Sequence, residues 1–184
     1  MNGFQMNKSY ILKRISFLSS LLFIYLCLSC NEVDNTITKE WKDQVFDLTD
    51  NLLQINNDSV PISSLITDKR AKVIVISSSY QCAPCQLRLK EWTKYIKQFG
   101  DKVDFRFIIP TKNKYEVWAH CIEIGFNYPI WIDIKDEYCN SDKYPEDVSY
   151  RCFVLDKENK VKMVGNPVHL SELESDFIKL LSSI

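Results

Sequence analysis

Residues 71–92 read AKVIVISSSYQCAPCQLRLKEW, in which two cysteines, Cys82 and Cys85, separate an apolar run from a helix-like run. The apolar run at 73–76 is too short for a helix and consists of β-branched residues, which predicts a strand buried on both faces. After the cysteines, apolar side chains recur at helical spacing and form one stripe: Cys85, Leu89, Trp92, Ile96 and Phe99. The stretch therefore predicts a buried strand followed by a helix that begins at the cysteine pair and ends at Gly100.

Strand and helix patterns alternate on both sides of this stretch. Residues 45–66 show short alternating segments around the turn-forming residues 56–59, which predicts an N-terminal β-hairpin. Residues 103–109 alternate as a strand and residues 128–134 form the next short strand. Between them lies a predicted amphipathic helix, and its expected inner face consists of Tyr115, Trp118 and Ile122.

The C-terminal part predicts a second β-hairpin and a final helix. Two strand-like segments flank residues 157–159, as they would in a hairpin. In the helix that follows, Ser171 and Glu174 have the spacing of a capping box. The expected apolar face of this helix consists of Leu173, Phe177, Leu180 and Leu181. The predicted order is β-hairpin, βαβαβ, β-hairpin, α.

The cysteine pair has the arrangement of a reactive dithiol. A proline between the cysteines suits the first turn of a helix, so the sequence places Cys82 at a helix N-terminus. Unpaired backbone N–H groups and the helix dipole stabilise a thiolate there and lower its pKa from the free value of about 8.5. Cys82 is the predicted nucleophile, and Cys85, one turn later, would attack the mixed disulfide that Cys82 forms. The rest of the predicted active-site loop consists of Tyr80, Gln81, Ala83 and Pro84.

Three other interpretations of the cysteine pair are a zinc site, a structural disulfide and a peroxide-reducing site. A zinc site would need a second pair of thiolate or imidazole ligands, and the sequence has neither a second CxxC nor an HxxxH, so no metal is predicted. A structural disulfide between residues three apart closes too short a loop to stabilise the fold much. Peroxiredoxins place Pro seven and Thr or Ser three residues before the reactive cysteine, where this chain has Val75 and Ser79. Half of the peroxiredoxin motif is present, so a peroxide reductase stays an alternative.

The first thirty residues have the layout of an export signal. Three basic residues, Lys8, Lys13 and Arg14, precede an apolar stretch at 15–28. This stretch is shorter than the roughly 20 residues that span a bilayer as a helix. A processed signal peptide is therefore preferred to a transmembrane anchor.

The end of the signal, LCLSC at 26–30, resembles a bacterial lipobox. Cys30 would be the lipidated N-terminal residue, although Cys27 stands where Leu is usual. An ordinary signal peptide with an incidental cysteine, or an uncleaved anchor, stays an alternative. The predicted organisation is a signal peptide at 1–29, a polar tether at 30–40 and one domain at 41–184.

Composition and charge exclude other classes of function. The 184 residues carry a formal net charge of −1 with scattered Lys and Arg, which gives no electrostatic footprint for nucleic acid. A content of 46% hydrophobic residues with 4 Gly and 6 Pro excludes disordered and collagen-like chains. Of the 7 cysteines, Cys27 would leave with the signal and Cys30 would carry lipid. The five that remain are an odd number, so at least one thiol stays unpaired or shared.

With the strand–CxxC–helix arrangement, nearly the whole chain after the tether resembles the thioredoxin-like superfamily, more narrowly the exported TlpA-like and redoxin group. Residues 47–66 resemble that group's N-terminal hairpin, and FVLDKENKVKMVG at 153–165 resembles its terminal hairpin. VLDKENKVKMVGNP at 154–167 is also similar to a stretch in a subset of Gram-negative lipoproteins with a CxxC. The resemblance implies an α/β, thioredoxin-like fold with a central mixed β-sheet, helices on both faces and an N-terminal β-hairpin extension.

Two positions depart from the family pattern. Thioredoxins have Trp directly before the first cysteine, where this chain has Gln81. They also place a cis-proline before the terminal hairpin, and alignment of the FVLD segment puts Tyr150 there. A cis peptide before a non-proline residue costs about 2.5 to 4 kcal/mol, so this peptide is predicted to be trans. Tyr150 and Arg151 are the candidate substrate-groove residues. We expect substrates to dock along this loop differently from those of the family. For Arg151 the alternative is a solvated charge on a strand.

The remaining cysteines and histidines carry weaker signals. The same alignment brings Cys152 near the dithiol, either as a third redox thiol or, as favoured here, as a small buried strand residue. Cys121 is predicted to pack in the core, and pairing with Cys139 stays open. His120 and His169 are assigned no role, because no spacing sets up a Cys–His pair.

These observations predict a lipid-anchored thiol–disulfide oxidoreductase of the bacterial cell envelope that faces the periplasm. Its expected partners are thiols or disulfides of exported proteins or small thiols, and a membrane electron donor or acceptor; no cofactor is predicted. The resemblance to exported TlpA-like proteins implies a reductase, although an oxidase or isomerase would use the same atoms. The alternative from another class is a non-catalytic binding lipoprotein on the same scaffold.

Overall fold

The computed structural model describes residues 35–47, 52–55, 71–78, 86–140 and 142–184. The chain divides into two units, Met1–Asn35 and Thr36–Ile184, and all described residues except Asn35 belong to the second. Within the described ranges, none of the helices has the length and apolar character that a membrane span requires. The predicted signal peptide and Cys30 lie outside the described residues.

Within the described residues, six strands form one mixed sheet, in the spatial order β1–β4–β3–β2–β5–β6. β2, β3 and β4 run parallel, whereas β1, β5 and β6 pair antiparallel with their neighbours. The strands are β1 (Leu53–Ile55), β2 (Ala71–Ile76), β3 (Val103–Pro110), β4 (Ile130–Asp133), β5 (Cys152–Leu155) and β6 (Val161–Val164). The predicted central mixed sheet and the C-terminal hairpin are confirmed. Most of the predicted N-terminal hairpin lies outside the described residues, and its described strand, β1, pairs with β4.

Four α-helices are described: α1 (Asn35–Trp41), α2 (Leu89–Phe99), α3 (Lys114–Ile124) and α4 (Glu174–Ser182). α2 and α3 are the crossovers that two successive parallel strand pairs require, β2–β3 and β3–β4. The 3₁₀ helices Val148–Tyr150 and Ser171–Leu173 precede β5 and α4.

The main core lies between one face of the sheet and helices α2, α3 and α4. Trp92 of α2 is 0% exposed, and its ring lies 5.5 Å from Phe107 of β3 and 6.0 Å from Phe177 of α4. Within the described residues the predicted stripe is confirmed, because Leu89, Trp92 and Phe99 are buried and Ile96 is half-buried, whereas Cys85 lies outside the described residues. The helix after the cysteine segment is thereby packed directly on the strands that flank it.

The opposite face of the sheet is covered by an aromatic cluster. Trp41 at the end of α1 lies 4.9 Å from Phe153 of β5, and Phe46 and Tyr144 pack beside them. Helices therefore lie on both faces, as predicted. The predicted tether at 30–40 overlaps α1, which begins at Asn35. The apolar residues that hold this part of the chain, Trp41 and Phe46, come after residue 40, so the polar composition before it does not reveal the helix.

The predicted inner face of α3 is wrong. Tyr115, Trp118 and Ile122 are 69%, 50% and 60% exposed, and Val117 and Cys121 are buried against the sheet instead. Both stripes of this helix are apolar, so periodicity alone does not choose between them. Val117 and Cys121 belong to the same buried cluster as Phe107 and Phe126, so the smaller stripe faces the core.

The predicted capping box at Ser171 is also wrong. Neither the 3₁₀ helix nor α4 has a side-chain cap, and the Glu174 carboxylate instead binds Lys94 and Tyr95 of α2. The hydrogen bond from Lys94 holds the pKa of Glu174 below its ordinary value. A contact to another helix has replaced the local cap that the spacing suggested.

Candidate active site

Two described segments at one edge of the sheet flank the cysteine pair in the sequence. Residues 79–85, which contain Cys82 and Cys85, are outside the described residues, as are the predicted loop residues Tyr80, Gln81, Ala83 and Pro84. On the N-terminal side, β2 ends at Ile76 and is followed by Ser77 and Ser78, both buried. On the C-terminal side, helical structure is present at Gln86.

The two flanking segments are joined by a hydrogen bond. The backbone N–H of Ser78 donates to Oε1 of Gln86 at 2.8 Å, and both residues are buried. Ser77 is held to the next strand, because its N–H donates to the carbonyl of Ile108 at 3.0 Å. The seven residues 79–85 therefore leave and rejoin the described structure at the same place, beyond the C-terminal ends of β2 and β3.

The helix that follows is interrupted at Arg88. Gln86 and Leu87 are helical, Arg88 has a left-handed conformation (φ 47°, ψ 45°), and α2 begins at Leu89. The Glu91 N–H bonds to the Arg88 carbonyl, so the Leu87 carbonyl accepts instead from Nε1 of Trp92 at 3.1 Å. Arg88 thus separates the helical residues Gln86 and Leu87 from α2, and the side chain of Trp92 joins Leu87 to α2.

The two predicted groove residues are buried. Tyr150 is 8% and Arg151 6% exposed, and Tyr150 ends the 3₁₀ helix before β5. The Arg151 guanidinium donates to the carbonyls of Cys139 and Pro145, both at 2.6 Å, so the alternative of a solvated strand charge is wrong. All described peptide bonds are trans, which confirms the prediction for the bond before Tyr150.

Comparisons with known proteins show which solved structures have a similar arrangement of strands and helices. No model of a protein family matches the chain, and no curated protein matches it in sequence. Solved structures do match. A thioredoxin-like protein from Porphyromonas gingivalis is 17% identical with a TM-score of 0.51, over 77% of this chain and 92% of its own. The thioredoxin domain of a thiol-disulfide oxidoreductase from Bacteroides vulgatus is 12% identical with a TM-score of 0.52, over 73% and 96%. A peroxidoxin from Mycobacterium tuberculosis is 16% identical with a TM-score of 0.55, over 78% and 98%.

The chain has a thioredoxin-like fold. At these identities the likeness concerns the fold alone. The fold class that the sequence predicted is thereby confirmed.

In this thioredoxin-like domain, backbone groups of the loop before β5 already form hydrogen bonds within the domain. The Ser149 N–H donates to the side chain of Asp147 at 2.8 Å, and the Ser149 carbonyl accepts from the Asn166 N–H at 2.7 Å. The Arg151 carbonyl accepts from the Ile76 N–H at 2.9 Å. A peptide that added to this loop as an extra strand would have to displace these bonds.

Three other cysteines are free thiols in the interior. Cys121, Cys139 and Cys152 are unpaired and buried, so pairing of Cys121 with Cys139 does not occur in the structure. Cys152 is 0% exposed and pairs with Val75 in the sheet, which confirms the favoured interpretation of a small buried strand residue. Burial raises the pKa of all three thiols above the ordinary value, so each is protonated at neutral pH.

Cys139 belongs to a small acidic cluster that the sequence did not reveal. One ligand atom each from Asp133, Asp136 and Cys139 lie within 4.8 Å of one another. The Asp133 carboxylate already accepts the backbone N–H groups of Glu137, Tyr138 and Cys139. This carboxylate organises the turn after β4, and burial together with the two aspartates keeps the Cys139 thiol neutral.

We expect the two fully buried thiols to resist alkylation in the folded chain. Iodoacetamide at pH 8 should leave Cys139 and Cys152 unmodified in native protein and modify both in urea, because neither access nor a thiolate is available in the fold. Peptide mass mapping assigns each site. Modification of either thiol at its unfolded rate would show that the described burial is wrong.

The same burial predicts how stability depends on pH. A thiol whose pKa is raised in the folded state binds its proton more tightly there than in the unfolded chain. Its contribution to stability is complete below the unfolded pKa of about 8.5 and is lost as pH rises above that value. Urea unfolding at pH 7.5 and 9.5 should therefore show lower stability at the higher pH, and Cys152→Ala should reduce the difference.

Two functional candidates were missed in the sequence. Nε2 of His169 lies 2.7 Å from the Gln86 carbonyl, although no spacing linked residues 83 positions apart. A cavity of 270 Å³ also opens beside the exposed face of α3, lined by Trp118, Cys121, Ile122, Gly125, Phe126, Asn127, Tyr128 and Ile130. The outward aromatic side chains of α3 are the one sequence signal for it, and the periodicity of the helix places them in the core instead.

Proposed function

We propose that the chain is a thiol–disulfide oxidoreductase whose reactive dithiol is Cys82 and Cys85. The observation that carries this proposal is the Ser78–Gln86 hydrogen bond, which fastens both ends of the CxxC segment at the C-terminal edge of the central strand β2. Flanking residues that are joined to each other within a thioredoxin-like fold suit a segment in which one thiol attacks and the other resolves. The protein from Bacteroides vulgatus that has the same fold is named a thiol-disulfide oxidoreductase, and this supports the proposal.

The proposed reaction is a two-step exchange. The Cys82 thiolate attacks one sulfur of a substrate disulfide, forms a mixed disulfide and releases the first substrate thiol. Cys85, deprotonated, then attacks the Cys82 sulfur, which forms the Cys82–Cys85 disulfide and releases the second thiol. The substrate gains two electrons and two protons, the dithiol loses them, and an external dithiol reductant must restore it.

The proposed setting is the bacterial cell envelope, where the chain would be a lipid-anchored membrane protein that faces the periplasm. Lipidation of Cys30 would leave only residues 30–34 before α1, a link of about 17 Å when extended. The domain would then stay close to the bilayer, where a membrane electron donor would act as the reductant and exported proteins would supply disulfides. Mass spectrometry of the mature N-terminus tests this setting, and an unmodified Cys30 in the native host would exclude the anchor.

A peroxide reductase is the second candidate. The peroxidoxin from Mycobacterium tuberculosis has the same fold, and a residue that suits the peroxidase motif, Ser79, stands three positions before Cys82. The position seven before Cys82 holds Val75 instead of Pro, which disfavours peroxide chemistry relative to disulfide exchange. A binding function without chemistry is what remains if neither activity is found.

Catalysed disulfide reduction is the direct test. With dithiothreitol as reductant, the full chain should accelerate reduction of both a small disulfide and a protein disulfide, and Cys82→Ser should bring the rate back to that of dithiothreitol alone. Cys121→Ser is the matched control, because Cys121 is buried in the core and should leave the rate unchanged. Equal rates for wild type and Cys82→Ser would contradict the proposal, and turnover of hydrogen peroxide alone would favour the second candidate.

A further inference from the structure

Helix α3 presents a stripe of large apolar side chains to the surface. Tyr115, Trp118 and Ile122 are 69%, 50% and 60% exposed, and their spacing of three and four residues places them on one side of the helix. The small side chain of Ala119 is exposed beside them. The other exposed large apolar side chains of the described ranges lie outside this helix: Val45, Ile134 and Ile184. Apolar side chains that adjoin one another on the surface are typical of an interaction site.

The cavity of 270 Å³ lies directly beside this stripe. Trp118 and Ile122 form part of its wall, and the buried residues Phe126 and Ile130 also line it. Its volume is below the roughly 300–1,000 Å³ of pockets that hold whole small molecules. The cavity therefore suits one inserted side chain of a docked protein better than a separate ligand.

The stripe matches a second copy of itself when two α3 helices pack antiparallel. With a two-fold axis between Trp118 and Ala119, residue 115 of one copy lies level with residue 122 of the other, because both are equally distant from that axis. Tyr115, the most exposed member of the stripe, is then level with the second copy's cavity, whose α3 wall includes Trp118 and Ile122. The small side chain of Ala119 would let the helices approach closely. Such a reciprocal contact is the pattern of a two-fold symmetric dimer.

The charges along α3 also favour an antiparallel pair. Lys112 and Lys114 lie at the N-terminal end of the helix, and Glu116 at that end is held by the side chain of the N-cap residue. Glu123 lies in the last turn with 79% of its side chain exposed, and its only described partner is His120, at 3.8 Å. An antiparallel arrangement places the basic end of each helix beside the acidic end of the other, and it also opposes the helix dipoles.

The size of this face predicts a weak, reversible dimer. The 11 residues of α3 span about 17 Å, and one helix face of that length contributes less than the roughly 800 Å² per partner of a standard interface. We propose that α3 is a homodimerisation surface, in which Tyr115 of each copy fills the cavity beside α3 of the other.

This dimer is independent of the proposed function. The cavity includes Ile130, the first residue of β4, whereas the Ser78–Gln86 bond lies beyond the C-terminal end of β2, which runs parallel to β3 and β4. The two places are at opposite edges of the sheet. Self-association through α3 therefore leaves the proposed dithiol edge uncovered.

Sedimentation equilibrium of the full chain measures the association over a range of protein concentrations. We expect a reversible monomer–dimer equilibrium with a Kd between about 1 μM and 1 mM, as a small interface gives. Tyr115→Ala should weaken it at least about tenfold, because the cavity of each copy then stays empty. Ile134→Ala is the matched control: Ile134 is 46% exposed but lies outside α3, so this variant should match wild type.

A charge-reversal pair tests the antiparallel orientation. Glu123→Lys alone, and Lys112→Glu together with Lys114→Glu, should each weaken self-association at low salt, because like charges then meet at both ends of the helix pair. An equimolar mixture of the two variants should restore the dimer, since each basic end again faces an acidic end. A mixture that associates no better than either variant alone would overturn the antiparallel arrangement.

The remaining outcomes decide whether α3 binds a second copy at all. A wild-type chain that stays monomeric up to about 1 mM would overturn the inference. So would a dimer that Tyr115→Ala leaves unchanged, in a variant with native circular dichroism. Binding of monomeric wild type to phosphatidylcholine vesicles, abolished by Tyr115→Ala, would assign the face to a lipid surface and equally overturn the inference.

Discussion

Cys85→Ser should convert the chain into a covalent trap for its substrates. Cys82 would still attack a disulfide, but no second thiol would resolve the mixed disulfide, because Cys121, Cys139 and Cys152 are all buried. The adduct should accumulate to one substrate per chain and vanish on addition of dithiothreitol. Non-reducing electrophoresis with a disulfide-containing test protein, followed by peptide mapping to Cys82, measures it.

The matched control for the trap is Cys82→Ser, which keeps Cys85 but should form at least tenfold less adduct. Equal trapping by both variants would mean that the two cysteines have no division of roles. Trapping through any of the three interior cysteines would instead contradict their described burial. In cells, the trapped proteins would identify the substrates.

Trp92→Ala should produce the largest loss of stability among single substitutions in the described core. The Trp92 ring is fully buried among Tyr95, Phe105, Phe107 and Phe177, and its Nε1 satisfies the Leu87 carbonyl. Truncation of a buried aromatic ring to alanine costs about 3–5 kcal/mol, and the orphaned carbonyl adds to this. Urea unfolding followed by circular dichroism measures the change.

Trp118→Ala is the control for this prediction, because Trp118 is half exposed on α3. Its loss should change the free energy of unfolding by no more than about 0.5 kcal/mol. Equal costs for the two substitutions would mean that α3 packs through Trp118, as its sequence pattern first suggested. The pair of variants therefore also tests the corrected orientation of α3.

The sequence predicted the sheet and the helices because their patterns are local. The β-branched run of β2 and the stripe of α2 leave one buried arrangement each, and the structure has both. The inner face predicted for α3 was wrong because the helix carries two apolar stripes, and its sequence alone does not choose between them. The capping box at Ser171 failed because Glu174 gains a cation and a tyrosine hydroxyl on α2, which no local rule includes.

The sequence predicts the chemistry of the site but not the contacts around it. Spacing alone predicts a dithiol of Cys82 and Cys85, because the proposed nucleophile, the proposed resolving thiol and the predicted helix start lie close together in the chain. The contact between His169 and Gln86 joins residues 83 positions apart and depends on the loop after β6. The burial of Arg151 depends on carbonyls of a turn that has no sequence signature.

The reduction potential of the Cys82–Cys85 couple tests the central claim most directly. The full chain would be equilibrated with glutathione buffers over a range of ratios, and the two cysteines scored by mass as thiols or disulfide, with Cys85→Ser as the blank. We predict one reversible two-electron transition, near or below about −270 mV if the chain is a reductase and nearer about −120 mV if it is an oxidant. Two cysteines that never exchange with the buffer, or that titrate independently of each other, would contradict the account.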